Sequence, residues 1–328
     1  MAEKPLREAG AAPPPEAGPD SPASLGRRSW WQVLRRTVNQ FSTDDLGVWA
    51  AALTYYGMLS LFPGLLVLTA LLGLFSDDLV GGLVNDVKPI MPGPVQDIVT
   101  TALADVQQSP RKAGVAAIVG LVLATWSASG YIDAFMKASN AIYDVPEGRP
   151  LWKRLPLRLG VTVLTGVLLV VCILIVVLGG RLADTLGDSL GMSSAAVTAW
   201  KIIKWPILVL LVALLLAILY WAAPNARQGG FRWSSPGGLL AVLLWILVSV
   251  AFGFYAANFA SYTATYGALG GVIVFLIWLW LTNMAILLGA EFDAELERER
   301  AIAAGHPAEQ EPYLQLRDDR KVDDTKDL

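Results

Sequence analysis

The sequence predicts an all-α, polytopic membrane protein with six transmembrane helices and interfacial amphipathic helices. Two observations predict it. The 328-residue chain is 55% hydrophobic and only 16% charged, whereas an ordinary soluble domain carries about 25% charged residues. The apolar residues are also gathered into runs free of Asp, Glu, Lys and Arg. Residues 46–75, 113–132, 159–180 and 205–226 are four such runs, and 233–290 is a fifth, 58 residues long. A spanning helix needs roughly 20 predominantly apolar residues, so the fifth run holds two spans and a hairpin. Soluble enzymes are excluded.

The elements follow in order. Residues 1–28 are rich in Pro, Ala, Gly and acids and read as a disordered tail. No apolar core follows their first charges, so they do not read as a signal peptide. Over residues 29–42, Trp30, Val33, Leu34, Val38 and Phe41 recur at helical spacing beside Arg35 and Arg36. Two readings stand: an amphipathic helix in the headgroup layer, or a basic anchor before the first span. Ser42-Thr43-Asp44-Asp45 resembles a capping box. The first span, 46–75, meets Pro63-Gly64 near its middle, which frees the Leu59 carbonyl and predicts a kink.

Residues 76–112 read as a large loop with two short amphipathic helices. The second span, 113–132, runs on as helix to about Tyr143, with Asp133 and Lys137 as an i, i+4 pair. Spans three to six lie at 159–180, 202–223, 236–258 and 268–290. The turn Ser261–Gly267 carries no charge and is a candidate re-entrant lip. The membrane domain covers 29–300, and 301–328 reads as an acidic, disordered tail.

Nineteen of the 25 Lys and Arg fall on the side of the two termini. The positive-inside rule then predicts an inner cell-membrane protein with both termini in the cytoplasm. Trp30, Trp31, Trp49, Trp152, Trp221 and Trp233 fall at that same interface. There is one Cys, Cys172, and one His, His306. These counts exclude an internal disulfide, a zinc site and Ser-His-Asp or Cys-His catalysis. The net charge of −3 leaves no basic footprint for nucleic acid. No cofactor, no metal and no nucleic-acid partner are expected.

Ala51-Ala52-Leu53-Thr54-Tyr55-Tyr56, followed by Leu59-Ser60-Leu61-Phe62-Pro63, resembles a motif of the YihY/virulence factor BrkB family. So do Trp126-Ser127-Ala128-Ser129 with Ala141–Glu147 downstream, Pro224-Asn225-Ala226-Arg227, and Phe259–Gly271 followed by Gly289-Ala290-Glu291. Order and spacing make the resemblance specific over residues 29–300. It implies a six-helix inner-membrane protein of poorly defined function. Members have carried a ribonuclease BN label, and one is associated with resistance to serum killing. The residues argue against nuclease chemistry, since one His cannot build a zinc nuclease and the acids are scattered or gathered at Glu291 and Asp293.

No ionisable residue sits in the centre of a span, which weakens a proton-coupled pump. Neutral polar groups and helix breakers remain: Tyr55, Tyr56, Ser60 and Pro63 on span one, Ser249 and Asn258 on span five. Tyr262 and Tyr266 lie in the turn, and Gly270 and Asn283 on span six. One reading is interhelical hydrogen bonding, worth about 0.6 kcal/mol per bond. The other is a neutral cavity between spans one, five and six that moves an uncharged or amphipathic molecule or a lipid. The sequence thus predicts a non-enzymatic transporter, efflux or lipid-handling component, with the bilayer and a small-molecule or lipid substrate as partners. The alternative is an envelope structural protein that docks envelope partners. Glu291 reads either as a solvated boundary residue or as the partner of Arg227 or Arg232, tying spans five and six to the inner loop.

Overall fold

Over the described residues each uncharged run is helical along most of its length, because a backbone in lipid must satisfy its own N–H and C=O groups. The computed structural model describes residues 26–73, 110–177, 193–228, 235–258 and 268–323. A first helix, α1 (Arg27–Thr43), precedes six long ones: α2 (Leu46–Gly73), α3 (Pro110–Ile142), α4 (Leu151–Val177), α5 (Ser194–Ala222), α6 (Pro236–Asn258) and α7 (Ala268–Ala303). A four-residue helix, α8 (Arg320–Asp323), comes last. Among the described residues there is no strand, only one antiparallel bridge, Ala226 with Leu316. Four helices are long and apolar enough to cross a membrane over their described residues: Leu151–Val176, Ser194–Ala222, Pro236–Tyr255 and Gly270–Ala303. Leu46–Leu61 is a shorter apolar helix. Only 17–22% of each long apolar window is buried inside the protein, so most of that surface is left for lipid. The chain is an all-α polytopic membrane protein. The loop helices expected within 76–112 and the turn at 261–267 lie outside the described residues, as does the N-terminal tail through residue 25.

The six long helices form a ring. Each packs on its neighbours in sequence, α7 closes the ring on α2, and α7 also touches α3 across it. The end that carries α1 and the C-terminal segment is termed proximal here, the other end distal. Burial is concentrated proximally. Leu46, Ala50 and Leu53 of α2 meet Phe135 and Met136 of α3, Leu219 and Tyr220 of α5, Ala241 of α6 and Leu287 of α7 in one core. The Phe135 and Tyr220 rings stack across the ring, centroids 6.3 Å apart. Distally, Leu59, Trp126, Leu247, Val250, Phe254 and Ile273 are exposed.

α6 and α7 cross in backbone contact. A Cβ added at Gly237 would collide with the Gly289 carbonyl oxygen, and one at Gly289 with that of Gly237 and with the Tyr220 hydroxyl. Small residues let the two backbones touch, as membrane helices require where no solvent drives them together.

α1 lies against α7. Val33 is fully buried with Phe292 and Leu296, and the Trp30 ring lies 6.0 Å from that of Phe292. Arg36 Nε donates to Glu295 Oε2 at 2.7 Å, and Arg36 also pairs with Glu299. Trp31, Leu34 and Val38 point away from the bundle. The helix thus has two apolar stripes, one used by protein and one exposed.

The C-terminal segment corrects the disordered-tail reading through residue 323. Tyr313, Leu314 and Asp318 are buried. Arg317 N–H donates to the Asn225 carbonyl and Arg227 N–H to that of Gln315. Asn225 Nδ2 donates in turn to the carbonyls of Pro146 and Asp318. Backbone bonds to buried Asn side chains hold a segment whose composition carries little apolar signal.

Substituting Gly289→Ala overpacks the α6–α7 crossing and lowers stability by about 1–3 kcal/mol, read by thermal unfolding in detergent. Gly253→Ala, where an added Cβ meets nothing within 4 Å, leaves stability unchanged or higher.

Candidate functional site

Of the neutral groups singled out by sequence, Asn283 occupies the centre. It is 1% exposed. Its Oδ1 accepts from the Tyr131 hydroxyl at 2.8 Å, and its Nδ2 donates to Thr54 Oγ1 at 3.1 Å. Thr54 donates to the Ala50 carbonyl within its own helix. One amide thereby joins α2, α3 and α7 in a neutral layer just distal to the Phe135–Tyr220 stack. Two further bonds pin α7 nearby: Trp280 Nε1 to the Gly47 carbonyl at 3.2 Å, and the Tyr220 hydroxyl to the Ile286 carbonyl at 2.6 Å.

The other singled-out groups sit elsewhere. Tyr55 is 61% exposed, and Tyr56 lies beside it with its ring against Gly130. Ser60 donates to the Gly57 carbonyl of its own turn. Ser249 accepts from Trp278 Nε1 at 3.2 Å, linking α6 to α7. Pro63 lies within a continuous α2, Asn258 ends α6 and Gly270 lies in the first turn of α7. Tyr262 and Tyr266 fall outside the described residues. Among the described residues, cavities of about 50 and about 20 Å³ border α7 at its proximal end. Neither is lined by Tyr55, Tyr56, Ser60, Ser249 or Asn283.

Below the neutral layer the proximal end is charged. Asp133 pairs with Lys137 at 3.1 Å, and two α4 arginines join it: Arg154 at 2.5 Å and Arg158 at 3.6 Å. Arg158 also donates to Ser129, which is fully buried. The arginines, which sequence spacing does not link to Asp133, carry the α3–α4 contact. Glu147 and Arg149 form a second pair at 2.7 Å, and Arg149 donates to the Ala223 carbonyl at the end of α5. Burial opposes the Glu147 charge, but the Arg149 guanidinium outweighs it and holds the carboxyl below its ordinary range.

Glu291 departs from the expected pairing with Arg227. It is 1% exposed and its neighbours are acids: Asp44 of the α1–α2 turn, Glu295 and Asp144. Arg227 is exposed, held at the surface by its backbone bond to Gln315; Arg232 lies outside the described residues. Helix geometry separates the α7 acids. Asp293 turns to α6 and accepts from Gly237 N–H at 2.7 Å, Glu295 turns to Arg36, and Glu291 turns to Asp44. Ser42 lies in the last turn of α1, so Ser42 and Asp45 form no capping box; the carboxyl of Asp44, which ends α1, faces Glu291. Asp45, at φ 52°, makes the turn that brings it there. Sequence reasoning missed Tyr131, Thr54 and Asp44. For the first two the signal was present, as each neighbours Asn283 at a matching membrane depth.

The model of the family described as virulence factor BrkB matches residues 37–313. The chain belongs to this family. Among relatives of this BrkB-family chain, the ribonuclease-like protein YfkH of Bacillus subtilis (strain 168) is 32% identical over 277 residues, 84% of this chain and 98% of that one. A UPF0761 membrane protein of Alkalilimnicola ehrlichii is 32% identical over 281 residues, and azo3165 of Azoarcus sp. is 29% identical over 286. The matches cover 79% and 83% of this chain, but only 58% and 66% of those longer relatives. No solved structure matches the chain.

Removing the central amide tests the neutral layer. Asn283→Ala leaves the Tyr131 hydroxyl buried without its acceptor and costs about 1–3 kcal/mol, whereas Tyr131→Phe costs about 1 kcal/mol. Thermal unfolding of the purified protein measures both.

Proposed function

We propose that this BrkB-family protein moves an uncharged or amphipathic molecule, or a lipid, and does so without catalysis. One observation carries the reading. The helix ring is packed in its proximal half and closed there by the neutral Tyr131–Asn283–Thr54 layer, while its distal half exposes apolar and hydroxyl side chains. A ring sealed at one end and loose at the other has the form of a one-sided access state, entered from the distal side or from the bilayer. The Tyr131, Asn283 and Thr54 side chains of that layer are neutral, which suits a molecule without net charge. The Lys and Arg excess at the proximal end supports a cytoplasmic face there, with both termini inside the cell membrane. The single His supports the non-catalytic reading: His306 Nε2 lies 2.9 Å from the Gln310 carbonyl and its ring meets Tyr313 edge-on, both inside the C-terminal segment.

A docking role in the envelope is the second reading. The exposed Trp31–Leu34–Val38 stripe of α1 favours it, since a partner or the headgroup layer must cover those side chains.

Cysteine accessibility separates the two. With Cys172 replaced by Ser, single cysteines at positions 56, 60, 249 and 253 react with an impermeant maleimide added from the distal side. A cysteine at 287, below the neutral layer, stays protected. Protection at all five positions would mean a sealed bundle, and docking would replace transport as the working reading.

A further inference from the structure

The proximal end holds a carboxyl pair that the transport reading does not use. Glu291 is almost wholly buried, and its Oε2 meets no donor among the described residues; Asp44 Oδ2 is likewise buried and without a donor. The two side chains are within hydrogen-bonding reach of each other. Two carboxylates repel, so a hydrogen bond between them requires one proton. Among the described residues, the charges that act most strongly on the pair from outside it are acidic: Asp144 at the end of α3, Glu295 on α7 and Glu311 of the C-terminal segment. The nearest arginines are engaged elsewhere, Arg36 with Glu295 and Glu299, and Arg298 with Glu295. Asp144 and Glu295 also line the cavity of about 20 Å³, with Arg298 beside them on the Glu295 side, and it is large enough for one water.

We infer that Asp44 and Glu291 form a proton-binding site that latches the α1–α2 turn to α7, with the Asp144–Glu295 cavity as the proton's route to the proximal surface. With the proton in place, one carboxyl donates to the other and the turn is held. When the proton leaves to water, two like charges face each other in a site whose strongest neighbouring charges are acidic. The turn and α7 then separate, and the seal beneath the neutral layer loosens. Burial, with the Asp144 charge adding to it, pushes the Asp44 carboxyl up to about 7. A native carboxyl raised in this way binds its proton more tightly than the unfolded chain does. Its stabilisation is therefore complete below the ordinary carboxyl range, about pH 4, and is lost as pH rises through about 7. This site goes beyond the transport reading and stands whether or not the distal half admits a solute.

Infrared difference spectroscopy tests it on the full chain in phosphatidylcholine vesicles, titrated from about pH 5 to about pH 9. The wild-type protein is expected to show a protonated-carboxyl C=O band, slow to exchange in deuterated water, that weakens as pH rises through neutral. Asp44→Asn and Glu291→Gln should each abolish it. No such band in the wild type, or one that survives both substitutions, would overturn the site. Thermal unfolding gives a second readout. The wild-type melting temperature should fall between about pH 5 and about pH 8, and Glu291→Gln should flatten that fall. Equal slopes in wild type and variant would contradict the latch. Neither readout depends on maleimide access to the distal half, so failure here and failure of the transport reading are distinguishable.

Discussion

The α6–α7 crossing leaves no room for a side chain at its centre, and the rest of the proximal end is arranged by it. With Gly237 and Gly289 in backbone contact, Asp293 comes under the first turn of α6 and accepts its N–H. The helix period then decides where the remaining acids go. Glu291, two residues back, is carried to the far side of α7 toward the α1–α2 turn, and Glu295 toward α1. Asn283, two turns distal, faces α2 and α3. One close contact thus fixes the rotation of α7, and that rotation distributes a row of polar side chains among four neighbouring helices.

The energetics differ between the two halves of the ring. Distally the helices present apolar side chains to a medium as apolar as themselves, so packing there gains little. Proximally the chain leaves the apolar layer and polar bonding takes over. Asp133, Arg149, Asn225 and Asp293 each satisfy groups on a second element. Such bonds are directional, so they specify helix positions that lipid-facing leucines leave undetermined. The asymmetry that supports one-sided access is therefore built from two kinds of cohesion, one loose and one exact in its geometry.

Helix positions were legible in the sequence because charge is excluded from lipid, and each uncharged run marks a span. Asn283 was legible for the same reason: a lone amide in apolar surroundings must find partners. The partners were not, since which face of α3 carries Tyr131 toward α7 depends on the crossing at Gly289. Pairing opposite charges names Asp133 and Lys137, which share one helix and lie 3.1 Å apart. It failed for Glu291, where the rule names Arg227 and the fold supplies Asp44 instead. The C-terminal segment was illegible for a different reason. Its order rests on backbone bonds to Asn225 and on two buried residues, Tyr313 and Leu314, too few to leave a periodic pattern.

That segment has a bearing on assembly. Residues 313–323 bridge the connection between α3 and α4 and the stretch after α5, both made long before them. The strap that ties the proximal ends is therefore made after all six long helices. Whatever the helices do first, the proximal layer stays incomplete until the chain has been made through residue 323.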